Sequence, residues 1–539
     1  VLFRSDDVPT LNVGSERTFT RTEKTAYRIL SGFGRVNYNY NMKYLLSFTA
    51  RYDGISRLKD NRWGFFPGVS VGWNIMEEDF WKESKVSDIV SNLKPRLSYG
   101  VNGNVNGIGN YEVYGEYAQV DAKTYGGATA LYNKKLLNTN LRWEQSQTFE
   151  VGLDIGFLQN RLSFILDFYS RRTKDLLTKQ ALPGYTGFSD IVTNMGTLRN
   201  SGFEAEVKAN IINKGGFTWD MTANITSVAN KIISLPYNNV ENNRVGGYEV
   251  AAGKVDADGK FPTKWIAGRQ EGGKLGELVG YRQQHVFKDW DDVKQHANLR
   301  VDEVANLYGP GLADQINPAT GKTYKESSGW QPIEPGDACW EDINGDNIIN
   351  GYDRSVMGNI FPNVTGGFST TFGYKGLSLY ARFDYALGHT LYNDLKARSL
   401  GQYQGQFNII TDVKDMWSEA NPNSDLTKFY YADQLAKKNI TRSNNASTAA
   451  DNNSSRYYEK GDYLALREIT LSYQLPKSLI SKAHLTEASV YVTGQNLFYI
   501  TGYDGVSPEP AVSTTYGRGI DNGRYPTPRT FLFGLSLTF

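Results

Sequence analysis

The chain reads as all-β, with a transmembrane antiparallel outer-membrane β-barrel favoured over a soluble sandwich. Three observations lead there. Apolar and polar residues alternate with a period of two along most of the sequence, the signature of strands with one apolar face. No apolar run approaches 18 residues and mean hydropathy is −0.48, which excludes a bundle of membrane helices. Yet 35 Tyr, 26 Phe and 10 Trp are far too many packing side chains for a disordered chain.

The strands carry the alternation one by one. Tyr44, Leu46, Phe48, Ala50 and Tyr52 share one side of residues 44–52, with Ser47, Thr49 and Arg51 on the other. Phe149, Val151, Leu153, Ile155 and Phe157 lead through the turn Leu158-Gln-Asn160 into Leu162, Phe164, Leu166 and Phe168. Phe203, Ala205, Val207, Ala209 and Ile211 alternate with Glu204, Glu206, Lys208 and Asn210. Beyond Asn213–Gly216 follow Phe217, Trp219, Met221, Ala223 and Ile225. Residues 366–385 form a hairpin about Lys375-Gly376, with Phe368, Phe372, Leu377, Leu379, Ala381, Phe383 and Tyr385 on its apolar side. The last ten residues set Phe531, Phe533, Leu535, Leu537 and Phe539 on one face. Roughly 14 such strands are countable. Pairs about ten residues long, with polar opposite faces and aromatics near their ends (Tyr38, Tyr40 and Tyr44; Phe217 and Trp219), suit strands that cross lipid around a wet lumen. The long polar segments 103–140, 231–275, 289–362 and 387–460 suit the long outer loops of a barrel. Helical periodicity is short and sparse, as in Thr411–Glu419, and Asn439–Ser455 is low in complexity.

Charge and special residues narrow the function. With 58 Lys+Arg against 57 Asp+Glu, there is no basic excess to hold nucleic acid. The single Cys339 forms no intrachain disulfide and lies in no nucleophile motif. His285, His296, His389 and His484 show no paired ligand spacing and read as loop or lumen residues. No enzyme is expected. One twelve-residue loop, Asp342-Ile-Asn-Gly-Asp-Asn-Ile-Ile-Asn-Gly-Tyr-Asp353, places oxygen donors at the positions of a calcium loop. These are Asp342, Asn344, Asp346, Asn350 and Asp353, with the backbone carbonyl of Ile348. Asn347 replaces the usual glycine and Asp353 the usual glutamate. A structural Ca2+ is the expectation, against a metal-free turn held by side-chain-to-backbone bonds. Tyr111, Tyr114, Tyr117, Trp330, Trp340 and Tyr403 are loop aromatics able to stack on a ligand.

Several stretches then resemble the SusC/RagA family of TonB-linked outer-membrane transporters. They are Asn61-Arg-Trp-Gly-Phe-Phe-Pro-Gly-Val-Ser-Val-Gly-Trp73, Leu93–Asn104, Asn140-Leu-Arg-Trp-Glu144, Asn160-Arg-Leu162, Thr173–Leu177, Asn194-Met-Gly196 and Arg199–Glu204. Asp342-Ile-Asn-Gly-Asp346, Gly358-Asn359, Val492–Phe498 and the ending Tyr525–Phe539 continue in the family's order. The resemblance implies a cell outer-membrane protein importing glycan or peptide oligomers. A SusD-like surface lipoprotein would serve as its lid, and a TonB complex would supply energy through a plug. It also implies a barrel of roughly 22 strands, so residues 1–539 are expected to be the C-terminal part, with signal peptide, TonB box and plug elsewhere. A passive glycan-binding or adhesin β-protein is the alternative.

Overall fold

The structure is a computed structural model. It describes residues 25–125, 128–302, 306–402, 410–429, 454–509, 512–513, 517–523 and 525–539. Tyr403 and residues 439–453 lie outside the described residues.

Thirteen strands form one large sheet: β1 Ile29–Tyr40, β2 Tyr44–Ile55, β3 Trp63–Trp73, β4 Val90–Asn104, β5 Glu144–Phe157, β6 Leu162–Lys174 and β7 Thr197–Lys214, then β8 Phe217–Ser234, β9 Val364–Tyr374, β10 Leu377–Leu387, β11 Tyr463–Gln474, β12 Glu487–Thr501 and β13 Thr530–Thr538. Each bonds to its neighbours in chain order, one strand fewer than the sequence count. Antiparallel registers run through β1–β4 and through β8–β13. Tight turns fix those registers. Asn41 and Met42 (φ 50° and 57°), Gly215 and Gly216 (64° and 79°), and Lys375 and Gly376 (46° and 89°) all take the left-handed backbone. At Gly215-Gly216 and Lys375-Gly376 this is the two-residue hairpin whose twist matches the strands, and between Tyr40 and Tyr44 the loop is one residue longer.

Two compact units are distinguishable. In the first, made of the stretches up to Asn74, Arg96–Val151 and Ser170–Arg199, register aligns Tyr38, Leu46 and Val71 in one row and Val36, Phe48, Val69 and Tyr99 in the next. All seven are exposed, from 40% for Tyr99 to 65% for Val36. A water-soluble sheet would bury such a face, so its contiguous exposure marks a surface for another apolar phase. Tyr40 stacks near Tyr44 at one end and Tyr52 on Trp63 (4.9 Å) at the other. The eight steps from Tyr44 to Tyr52 span roughly 27 Å along the strand, close to the apolar band of a membrane barrel. The reverse face is polar. Arg35 donates to Asn37 and Ser47, and Arg51 pairs with Asp53 at 2.6 Å. Beyond the strand ends, Leu58, Val113 and Leu141 form a closed core with Phe66 and Trp143.

The second unit repeats this arrangement over β8–β13. Phe217, Tyr374, Leu377, Tyr473, Val490 and Leu535 form one apolar row, and Trp219, Phe372, Leu379, Leu471, Val492 and Phe533 the next. The terminal strand meets its expected face, with Phe531 65%, Phe533 82% and Leu535 61% exposed. Small residues make room for the rings: a Cβ on Gly366 would lie 2.5 Å from the Tyr385 hydroxyl.

The segment 289–362, expected as open loop, is folded instead. Together with strands from 277 onward it encloses Tyr281, Phe287, Val293, Leu299, Val301, Leu307, Ile333 and Trp340. Its strands are only two to six residues long, too short to show a periodicity. Thr411–Asp415 is a single 3-10 turn.

The exposed apolar rows carry a measurable consequence. Ile469→Arg, in the middle of β11 on the apolar face, is expected to destabilise the full-length protein in phospholipid vesicles by about 2–4 kcal/mol. Thr371→Arg, on the polar face of β9, should change it by less than about 1 kcal/mol; urea unfolding followed by Trp fluorescence measures both.

Candidate functional site

The polar face of the second unit holds the densest set of functional side chains. At its centre Arg467, on an irregular step of β11 between Leu466 and Glu468, meets two carboxylates. Its guanidinium donates through Nε and Nη2 to both oxygens of Asp384 on β10, the Nη2 contact being 2.9 Å. Nη2 also reaches Glu509 at 2.5 Å, and Nη1 donates to the Tyr499 hydroxyl at 3.0 Å. That hydroxyl in turn donates to Glu509 at 2.8 Å. The fork-shaped guanidinium suits this bidentate arrangement, which lysine would not reproduce. Glu509 belongs to the segment after β12, so one arginine ties Gly502–Glu509 to the sheet wall. His389, buried, strengthens the tie by donating from Nε2 to the Pro508 carbonyl at 2.9 Å.

Next to this network opens a cleft of about 570 Å3, within the range of ligand sites. Its walls come from β8 to β11 and include Thr222, Asn224, Ser369, Arg382 and Asp384. The register explains why space exists there. The row Asn224, Gly367, Asp384, Ala465 carries no side chain at its second position and only a methyl at its fourth. A Cβ at residue 367 would come within 2.7 Å of the Phe383 carbonyl, so glycine keeps that floor low.

The loop Asp342–Asp353 is ordered by its own oxygens. Asp342 accepts from the backbone N–H of Gly345 and Asn347, Asn344 from Asp346, and Asp346 from Ile348. Asn350 caps a short turn by accepting from Tyr352, while Asp353 accepts from Ile343 and Asn350. Asn347, at the position where a calcium loop carries glycine, has φ 61°. Asn344 and Asp353 are fully buried. Burial raises the Asp353 carboxyl to about 6; its backbone bonds pull the other way, and the nearby Asp342 and Asp346 charges add to the rise. Among the described residues no three His, Cys, Asp or Glu side chains gather as a preformed metal cluster.

The other singled-out residues divide. Trp340 is not a presented ring: it is 3% exposed and packs edge-on against Tyr281 in the core. Trp330 packs edge-on against Tyr324, and Tyr111 is exposed while its hydroxyl accepts from the Ala26 N–H. Tyr114 is exposed, and nothing is described of the Tyr117 side chain. His285 and His296 flank Asp292, with the His285 ring nitrogen 3.2 Å from that carboxylate, and His484 ends a short turn in the left-handed region. Cys339 is buried, which pushes its thiol up to about 12 and removes the thiolate a nucleophile needs. Sequence reasoning missed Arg467, Asp384 and Glu509. They are 83 and 42 residues apart along the chain, and no local spacing signals their meeting.

A strand meander with an exposed apolar face and an opposite polar, cleft-bearing face is the pattern of an outer-membrane β-barrel protein. The chain belongs to the TonB dependent receptor-like, beta-barrel family, whose match covers residues 3–331. It is 31% identical over 536 residues to the TonB-dependent receptor SusC of Bacteroides thetaiotaomicron, covering 96% of this chain and 45% of that protein. It is 30% identical over 519 residues to the TonB-dependent receptor P3 of Formosa agariphila, covering 95% and 45%. The structure of the RagAB peptide transporter superposes with a TM-score of 0.70 at 23% identity, over 100% of this chain and 51% of that one. The chain thus spans about half the length of the curated relatives it matches. The family is one of outer-membrane transporters and receptors.

Arg467 should govern the segment it holds. Arg467→Met leaves Asp384 and Glu509 without their cation, and protease cleavage within Gly502–Glu509 is expected to quicken about tenfold, after allowance for the partial exposure of both carboxylates. Mass spectrometry of timed digests measures the rate.

Proposed function

We propose that this chain is barrel wall of an active importer of nutrient oligomers, glycans or peptides, in the outer membrane. The observation that carries it is the family match together with exposed apolar rows in each unit and, in the second, a polar, cleft-bearing opposite face. In this reading lipid covers the apolar rows and the substrate passes the polar face. The short turns face the periplasm, and the folded lobe of residues 277–360 stands outside. A SusD-like surface lipoprotein closes over the outer segments, and a TonB complex acts through a plug supplied by the rest of the protein. The chain performs no covalent chemistry: binding, release and passage suffice.

The test is uptake. Deleting the gene of the full-length protein should abolish growth on one class of oligomer, and re-supplying it should restore growth only when TonB is functional. Unimpaired growth on every oligosaccharide and peptide mixture tested would remove the proposal. Affinity purification of the complete protein from outer membranes should bring down a lipoprotein at equal stoichiometry.

We further infer that Asp342–Asp353 takes a structural Ca2+, through the carboxylates of Asp342, Asp346 and Asp353, the amide oxygens of Asn344 and Asn350 and the Ile348 carbonyl. All are hard oxygen donors. The support is electrostatic. Burial raises the Asp353 carboxyl, the nearby Asp342 and Asp346 charges add to the rise, and a divalent cation would favour the ionised form of all three. The sign follows. Asp353 is raised from 3.8 to about 6, so without metal its contribution to stability is full below about 4 and is lost as pH rises through about 6. Calcium, competing with the proton, gains over the same interval. Calorimetry should show Ca2+ raising the unfolding temperature at pH 7.5 and having little effect at pH 5. Asp346→Ala should show no response at either pH.

A further inference from the structure

We propose that the cleft walled by β8–β11 is a substrate subsite that reads a carboxylate on a passing oligosaccharide, with Arg382 as the specificity-determining residue. This rests on the transport reading above and adds a substrate class to it: glycans containing uronic acids.

The two arginines at the cleft are electrostatically unlike. Arg467 is already committed to Asp384, Glu509 and Tyr499, and its positive charge is more than balanced. Arg382 stands at the cleft wall, exposed, and among the described residues it has neither ion pair nor hydrogen bond. Glu468 is its direct neighbour in register on β11 but accepts instead from the Thr470 hydroxyl at 3.2 Å. Arg382 therefore offers a whole guanidinium fork to a carboxylate in bidentate geometry.

The groups around it are matched to sugar hydroxyls. Thr222 and Ser369 lie in the same cross-strand row as Arg382. Their hydroxyls can each donate and accept, as sugar hydroxyls do, and neither is engaged among the described residues. Asn224 spends its amide oxygen on the Gly367 N–H at 2.9 Å, which leaves its NH2 to donate. Asp384 adds a carboxylate able to accept from sugar hydroxyls. A peptide finds less here. Its backbone is recognised most economically by adding a strand to a sheet edge, but the cleft lies on the face of β8–β11. There the main-chain groups are already spent on neighbouring strands.

The test uses the full-length protein in detergent and isothermal calorimetry with three probes: a panel of uronate tetrasaccharides, maltotetraose and tetraglutamate. A uronate tetrasaccharide should bind at least about tenfold more tightly than maltotetraose. Arg382→Ala should weaken uronate binding about 10- to 100-fold, the loss of a charged bidentate contact, and leave maltotetraose unchanged. Arg382→Lys should recover part of the loss, and Ser369→Ala, which leaves every charge in place, should weaken both sugars alike. Resistance of each variant to unfolding in cold SDS verifies the barrel; if Arg382→Ala does not fold, Arg382→Lys and Ser369→Ala decide. Equal affinity for charged and neutral sugars, or uronate binding that survives loss of Arg382, overturns the proposal. Tetraglutamate binding that depends on Arg382 also overturns it, in favour of acidic peptides. Uptake by cells separates the two levels. Import of some oligomer by the parent without preference for uronates defeats only the subsite, whereas import of no oligomer defeats the transport reading itself.

Discussion

Every strand of the large sheet must satisfy its backbone hydrogen bonds sideways, because the phase that covers its apolar face offers none. An unpaired N–H or C=O in hydrocarbon costs several kcal/mol, so lateral pairing in fixed register is the constraint on which the remainder rests. It accounts for the two-residue turns at Gly215-Gly216 and Lys375-Gly376, which leave no slack for a slip. A one-residue slip of β9 would carry Phe368 and Phe372 to the polar face and Thr371 into lipid. Register also aligns side chains that are hundreds of residues apart. The row from Trp219 through Phe372, Leu379, Leu471 and Val492 to Phe533 exists only because each pairing is held.

The same pairing creates the polar side and its functional groups. Large residues thicken the wall beside the cleft, where Tyr463 and Tyr499 pack edge-on. Where Gly367 falls between Asn224 and Asp384, it opens. The irregular step at Arg467 turns that side chain toward Asp384 and Glu509, so a local departure from the pairing rule accompanies an arginine bound to two carboxylates. Bulges commonly re-aim a side chain in this way. Beyond the strand ends a different physics takes over. The lobe around Phe287, Val293 and Ile333 buries its apolar side chains inward as a water-soluble domain does, in contrast to the strands that wear theirs outside.

Much of this was legible in the residues. Period-two alternation gave eight of the thirteen strands of the sheet with their apolar faces, the terminal strand among them, because burial by lipid writes itself directly into the sequence. The turns at Leu158-Gln-Asn160 and Lys375-Gly376 were readable from their small and polar residues. The lobe was not, since strands as short as Arg300-Val301 and Leu307-Tyr308 carry too few residues for a period. Trp340 could be read either as a ring for a ligand or as loop packing for the same reason: an isolated Trp in a polar stretch gives no sign that Tyr281 packs against it. The spacing of Asp342 to Asp353 was visible, and its local turns followed, because loops of this kind are built from neighbours.

What the amino-acid sequence determined by itself is therefore the part governed by near neighbours: strands, faces, turns, an acidic loop, and a family likeness spread along the chain. Tertiary structure alone decided which polar residues meet. Arg467, Asp384 and Glu509 come together across three segments, and Arg382 is left without a partner, because strand order and register bring distant residues level. No short-range pattern encodes a contact whose partners are separated by whole hairpins; only the closing of the hydrogen-bond ladder fixes it.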